Sequence, residues 1–512
     1  MIMALNQENK TIASAAFGVL IVIIVSKIVG FVESAMLAGY FGTSVEVDMF
    51  YLANTIVNNF VFTIFSGLAV VGLTMYNTAR KDDVENGNKF ISALLCSMLP
   101  FSFIVIGVIW AISPYVSSLM ASNYTVKEVE LLTLYIRELS IVAIFYVMTT
   151  IFTCVLNAHK KFIPGALMGC VHNLTLIVFI IFLSNQIGVN AVVIGFGVAY
   201  LIQTVVLYIC VRRIFKFRRF SYSRDINIKK VFLLILPLLL GEAVGDINAM
   251  VDQYLATKQG VGYVSGLSYS GTLNDVVTAL FMQTTTTVLL SFFSAFVVER
   301  RYGEMINELK KIIKNISLLV IPISVVTIFC ADHLVSFVFE RGKFDSESVL
   351  VTSRALVGYA IGFIPRIVMV IAKRPFFAIE NTRIPMVIGV IAIVINISLT
   401  ILLSNFWGIF GITVATSISH IVACYLYFNR INSVFDNVSW KDCLVFFQKI
   451  SIATVISAIL TYAVLHINIE THFYVLVVAT VVCFSTYLGV LHILKLTELK
   501  ILMLQIKSKI SK

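Results

Sequence analysis

Charge is scarce in this chain. Asp, Glu, Lys and Arg make up 13% of its 512 residues, against about a quarter in a soluble domain. Clustered cysteine is missing. Cys96, Cys154, Cys170, Cys210, Cys330, Cys424, Cys443 and Cys483 lie far apart, with no CxxC pair and no Cys/His cluster. That spacing suggests neither a zinc site nor a disulfide framework, and the cysteines read as packing residues. There is no Walker A loop, no GxGxxG after a strand, no HExxH and no GxSxG. Nucleotide-driven pumping and these enzyme chemistries are therefore excluded, and with them a nucleotide partner. No pore-loop or filter segment supports a channel. A cleavable signal is also absent. The apolar run from Ile12 is too long, and Lys27 and Glu33 stand where a small-residue cleavage site would be.

Apolar residues are abundant instead, at 59% of the chain, with a mean hydropathy of +0.96. A membrane-spanning helix needs about 20 of them in a row. About fourteen such spans are expected, at 12–34, 48–74, 90–113, 131–156, 163–184, 189–211, 231–256, 264–297, 315–338, 349–374, 385–404, 407–428, 448–467 and 471–494. The 38 Lys and Arg residues fall almost entirely at the termini and in every second gap. This is the positive-inside pattern of a multi-pass protein with both termini in the cytoplasm. The net charge of +11 then belongs to loops facing anionic headgroups, not to nucleic acid.

The gaps also organise the chain. The richest, at 212–230, carries Arg212, Arg213, Lys216, Arg218, Arg219, Arg224, Lys229 and Lys230. We read 1–211 as a six-helix lobe, 212–230 as a basic cytoplasmic linker and 231–428 as a second six-helix lobe. Residues 429–494 are two additional helices, and 495–512 a basic amphipathic tail on the inner membrane surface. A faint echo supports duplication: Ile163–Pro164 and Ile384–Pro385 hold corresponding places 221 residues apart. The expected fold is an all-α polytopic membrane protein, with two six-helix repeats forming a central cavity.

An ionisable residue inside a spanning helix costs about 2.5–3.5 kcal/mol on insertion scales, so it usually faces a cavity or a partner. Lys27, Arg137, Arg354 and Arg366 are the cations that fall inside apolar segments. Asp48 opens span two, where Tyr51, Asn54 and Asn58 continue at helical spacing as one polar stripe. The stripe is either interhelical glue or the lining of a cavity. Span seven carries Glu242, Asp246 and Asp252, which suggests a site for Na⁺ or H⁺ coupling. Asn396 and Thr400, with Thr413 and Thr416, offer further oxygen ligands, although threonine in an apolar helix more often bonds its own backbone.

Several stretches resemble one family. They are "SKIVGFVESAMLAGYFGTSVEVDMFYLA", "LNAHKKFIPGALMGCVHN", "LVSFVFERGKFDSES", "SRALVGYAIGF" and "PFFAIENTRIP". In this order they look like the MurJ/MviN lipid II flippases of the multidrug/oligosaccharidyl-lipid/polysaccharide exporter superfamily. The resemblance implies a peptidoglycan-precursor transporter and not an enzyme. Its substrate would be an undecaprenyl-diphosphate-linked glycan, moved across the bacterial cytoplasmic membrane by alternating access. It implies no cofactor beyond an ion gradient or the membrane potential, no partner beyond substrate and membrane lipids, and a monomer is compatible with it. It also implies a cationic cavity for the diphosphate, and here the sequence departs. Glu33, Val61 and Thr272 stand near positions where the family has arginine, and Lys27 replaces another. Lys27, Asp48, Asn54, Asn58, Arg137, Arg354 and Arg366 are left as the candidate cavity set. The departures leave open another polyprenyl-linked glycan of capsule or O-antigen type, or a cation-coupled multidrug antiporter.

Overall fold

Lipid offers no hydrogen bonds to a backbone, so long apolar stretches fold as helices. A computed structural model describes residues 2–81, 83–219, 228–435, 438–466 and 471–500. Parts of the basic linker (220–227) and of the tail (501–512) therefore lie outside the described residues. Every regular element among the described residues is helical. Ten helices are long and apolar enough to cross a membrane, or eleven when Ser346–Ile361 and Phe363–Ala378, bent by 42°, count as one span. The sequence suggested about fourteen, and two features account for the difference. The 52-residue helix Arg383–Val434 turns at Gly408 (φ 58°, ψ −135°) and so covers two of the expected spans. Helices Ile228–Thr257 and Tyr263–Val298 fall only partly within the described side chains and are not among the ten. In the most apolar window of each candidate span only 11–61% of residues are buried. The remaining apolar surface requires lipid.

The chain packs as two compact units. The first is Met1–Ser265 with Arg341–Phe344. It contains α1 (Ile2–Phe41), α2 (Val45–Val57), a π-helical segment (Asn58–Phe62), α3 (Thr63–Arg80), α4 (Val84–Met120), α5 (Val126–Ser140), α6 (Val142–Ala158), α7 (Ile163–Ile187), α8 (Asn190–Val211) and α9 (Ile228–Thr257). Helices in lipid approach through small residues, and α1 lies along α7 in this way. A Cβ on Gly169 would overlap Ser26, and one on Gly30 would come within 2.7 Å of the Asn173 amide nitrogen. Asn173 Nδ2 then donates to the Ser26 carbonyl at 3.2 Å.

The Gly-Lys-Phe run at 342–344 has the same logic. The Lys343 amide donates to the Gly39 carbonyl at 2.9 Å. Gly342 holds φ 61°, and a Cβ there would overlap the Gly39 carbonyl oxygen. Only glycine meets both demands.

The second unit is Gly266–Glu340 with Asp345–Lys512. It holds most of α10 (Tyr263–Val298), then α11 (Tyr302–Phe329), α12 (Ala331–Phe339), α13 (Ser346–Ile361), α14 (Phe363–Ala372), α15 (Arg374–Ala378), α16 (Arg383–Val434), α17 (Lys441–Val464) and α18 (His472–Ile493). Phe293, Met305, Leu309, Phe363, Ile367, Phe376 and Tyr427 form its core. Gly358 and Gly362 bring α13 onto Thr413 and Ser417 of α16, and Ser417 Oγ donates to the Gly358 carbonyl at 2.6 Å. The last two helices join α11 through Leu318, Phe446, Ile450, Tyr487 and Leu491.

The Ile-Pro echo has a structural counterpart in each unit. The helix before it ends on a left-handed residue, Lys160 or Glu380, both at φ 59°. The next amide, Lys161 or Asn381, closes the end at 2.9 Å onto Leu156 or Phe376. Proline then sits in the first turn of the helix that follows, where its missing N–H costs nothing.

Asp345 caps α13 by accepting from the Ser348 amide at 2.9 Å and its hydroxyl at 2.8 Å. Those bonds hold its carboxyl below the usual range. A depressed carboxyl stabilises the fold above its unfolded pKa, about 3.9, and this contribution is lost as pH falls through the lower folded value. Asp345→Ala is expected to cost about 1 kcal/mol near neutral pH, as cap removals do. Thermal unfolding in detergent checks this, and the wild-type advantage should vanish in strong acid.

Candidate functional site

A buried carboxylate is tolerated when donors surround it. Asp48, in the first turn of α2, is fully buried. Its Oδ2 accepts from the Gly262 amide at 2.6 Å and from the Tyr124 hydroxyl at 3.0 Å. Its Oδ1 accepts from the Ser265 amide at 2.8 Å. Burial and then the Asp48 charge push the Tyr124 phenol above its ordinary pKa, so it stays a donor. In this conformation Asp48 is a clamp between the start of α2, the loop after α4 and the start of α10.

Further along the same helix the backbone changes register. The π-helical turn at Asn58–Phe62 inserts an extra residue, a feature common at functional sites. Asn59 Nδ2 donates to the Asp246 carbonyl at 2.9 Å, and the Thr63 hydroxyl donates to the Asp246 carboxylate. The Oδ1 atoms of Asn54 and Asn58 are buried without a hydrogen-bond partner. On α9, Asn248 Nδ2 reaches Asp252 Oδ2 at 3.5 Å. The structure thus joins Asn59 and Thr63 to Asp246 as a polar seam in the first unit, while Asn54, Asn58 and Asp252 lie on the same helices with no bond among the described residues that joins them to each other. The Glu242 side chain lies outside the described residues. Asn59 and Thr63 were missed because a 3.6-residue period cannot show a π turn.

The cations divide into held and unheld. Arg137 Nε donates to Ser113 Oγ at 3.1 Å, and its Nη2 to the Trp110 carbonyl at 3.4 Å. That carbonyl lacks its helical amide donor because Pro114 lies four residues on and has no N–H. Arg137 thereby seals a proline break in α4. The Ser113 hydroxyl still donates to the Trp110 carbonyl at 3.0 Å, so we expect Arg137→Leu to lower stability by about 0.5–1.5 kcal/mol, the cost of a lost hydrogen bond, with transport by the folded fraction retained. Unfolding in detergent and a transport assay on the same preparation separate the two effects. Arg366 pairs with Asp275 at 3.0 Å. Lys27 on α1 and Arg354 on α13 are exposed, and neither has a hydrogen bond or ion pair among the described residues. Two further half-buried cations, Lys373 and Arg374, lie at the α14–α15 junction. Their signal was visible, since the apolar span 349–374 ends on them. Among the described residues Glu33 accepts a hydrogen bond only from its neighbour Ser34.

The remaining oxygen ligands lie in the second unit. Asn396 Nδ2 donates to Ser419 Oγ at 3.4 Å, and the Thr400 hydroxyl to Asn396 Oδ1 at 3.3 Å. These side chains form a buried cluster on the two arms of α16. Thr416 instead donates to the Ile412 carbonyl at 3.4 Å, the intrahelical bond usual for threonine. The span-seven carboxylates belong to the other unit. Among the described residues no three His, Cys, Asp or Glu side chains are grouped to hold a metal ion.

A sequence profile of the lipid II flippase MurJ family matches residues 37–483. The chain belongs to the lipid II flippase MurJ family. Curated MurJ relatives agree over most of their length. A probable lipid II flippase MurJ of Treponema pallidum is 24% identical over 461 residues, covering 86% of each chain. The lipid II flippase MurJ of Burkholderia cenocepacia is 23% identical over 390 residues, covering 73% of this chain and 74% of the relative. The fold is likewise that of MurJ. A solved lipid II flippase MurJ in an inward-closed conformation superposes with a TM-score of 0.79 at 22% identity, over 93% of this chain and 98% of that one. A multidrug transporter of the wider MOP superfamily, in an inward-facing conformation, superposes with a TM-score of 0.65 at 15% identity, over 83% of this chain and all of that one. Membership of this MurJ family makes the chain a multi-pass membrane transporter and not an enzyme.

Proposed function

We propose that this MurJ-family chain moves lipid II, the undecaprenyl-diphosphate-linked peptidoglycan precursor, across the bacterial cytoplasmic membrane by alternating access. The family match over 37–483 carries this reading. Lys27 and Arg354 support it, as two cations left free to meet a diphosphate. Both termini face the cytoplasm in this proposal. Three basic residues with left-handed backbone, Lys160, Arg300 and Lys495, end helices in gaps assigned to that side, where cations complement both helix dipoles and anionic headgroups. The two six-helix repeats, 1–211 and 231–428, rest on the matched Ile-Pro entries. Coupling to Na⁺, H⁺ or the membrane potential is part of the proposal. The carboxylates of α9 and the Asn396–Thr400–Ser419 oxygens are its candidate seats.

A second reading has a specific observation behind it. Glu33, Val61 and Thr272 remove cations where the family resemblance leads one to expect them. A less cationic path suits another polyprenyl-linked glycan of capsule or O-antigen type. Complementation decides between the two. Bacteria depleted of their own lipid II flippase should be rescued by this gene and should deliver labelled lipid II to the outer leaflet. Failure to rescue, with the protein present in the membrane, rejects lipid II as the substrate.

A further inference from the structure

Polar side chains are costly inside a membrane unit, and those that have no partner in the chain ask for an outside one. The first unit contains a cavity of about 430 Å³ walled by α3, α6, α7 and α8, within the size range of small-molecule sites, about 300–1,000 Å³. Its lining residues Asn157 and Gly165 flank the turn that carries Lys160 and Lys161, the end assigned to the cytoplasm. Its lining has no Lys, Arg, Asp or Glu. A diphosphate or a metal cation would find no counter-charge there.

The lining is nonetheless rich in hydrogen-bonding groups. Thr150, Thr153 and Asn157 of α6 face the cavity, and their side chains make no hydrogen bond among the described residues. His172 on α7 presents a buried Nδ1 without a partner. The Gln203 amide nitrogen is fixed on the Met168 carbonyl at 3.1 Å, which orients its oxygen as an acceptor. One side of the cavity is aromatic. The rings of His172 and Tyr200 lie 5.3 Å apart, and those of Tyr146 and Tyr200 6.3 Å apart.

Hydroxyls and amides supply donors and acceptors together, while ring faces suit the C–H faces of a pyranose. We propose that this cavity is a sugar subsite that takes the neutral N-acetylhexosamine portion of the lipid-linked substrate. This inference rests on the proposed function. It separates two jobs: the diphosphate is met by cations elsewhere, and the sugar is selected inside the first unit by uncharged groups.

The test uses the full-length protein in detergent, with lipid II and sugar-free undecaprenyl diphosphate as probes. Wild type should bind lipid II more tightly than undecaprenyl diphosphate. The Thr150→Val/Asn157→Leu variant removes side chains that make no hydrogen bond among the described residues, so it should fold. It should bind lipid II about tenfold more weakly, the effect of one to two net hydrogen bonds, and bind undecaprenyl diphosphate as wild type does. Equal loss on both lipids, or no loss on lipid II, overturns the subsite. Wild type that binds neither lipid rejects the function reading instead. The subsite is then judged on chitobiose, a soluble N-acetylhexosamine disaccharide. Millimolar chitobiose should bind wild type and not the variant, and absence of binding to wild type overturns the inference.

Discussion

Asp48→Ala should leave the chain inserted in the membrane but strip it of several kcal/mol of stability and of all transport. Insertion depends on the apolar spans, and alanine in place of Asp48 makes span two more apolar, not less. Stability depends on the clamp. Removing the carboxylate leaves the Gly262 and Ser265 amides without their acceptor, while the Tyr124 hydroxyl keeps the Gly260 carbonyl at 3.3 Å. Each buried orphan costs about 1–3 kcal/mol, although such costs do not add fully. Asp48→Asn should recover only part of the loss. Its oxygen can face one pair of donors, but its NH₂ group must then face the third. Membrane fractionation reports insertion, and thermal unfolding in detergent reports the clamp. Wild-type stability in Asp48→Ala would remove the structural role and return the residue to the substrate path.

Lys27→Ala should do the opposite, with normal stability and about 10- to 100-fold slower lipid II transport. Lys27 is exposed and makes no hydrogen bond or ion pair among the described residues, so its loss leaves no described group unpaired. A charge-assisted contact to a phosphate contributes about 1.5–3 kcal/mol, which converts to that range of rates when the contact is made in the step that limits transport. Arg354→Ala should act in the same direction, and the double variant should be slower than either. Lys27→Arg, which keeps the charge and adds a fork suited to phosphate, should transport at least as well as wild type. Outer-leaflet lipid II labelling in depleted cells gives the rate. Wild-type rates in Lys27→Ala would end the case for this cation.

These two residues show how much of the site could be read in advance. Both were marked for the same reason, a charge within or beside an apolar stretch. Composition sees that a charge is costly there and cannot see what relieves the cost. For Asp48 the relief comes from amides more than two hundred residues away. For Arg137 it comes from a carbonyl freed by Pro114. Arg366 found Asp275. Lys27 and Arg354 found no hydrogen bond or ion pair among the described residues. The stripe at Asn54 and Asn58 was legible because helical spacing is local. Its continuation through Asn59 and Thr63 was hidden by a π turn, which local spacing does not encode.

By itself the sequence determined class, helical content and membership of the MurJ family. Those follow from hydropathy, from the placement of lysine and arginine, and from short stretches such as "ERGKFDSES". All of these are properties of neighbours along the chain. Lipid enforces them, because an apolar stretch without backbone partners has only the helix available. Tertiary structure alone decided which polar groups are already satisfied and which are left over. Burial makes an unpaired group expensive, and only three-dimensional packing says who stands beside it. That packing also placed Thr150, Asn157, His172 and Gln203, which sit on three different helices, around one uncharged cavity.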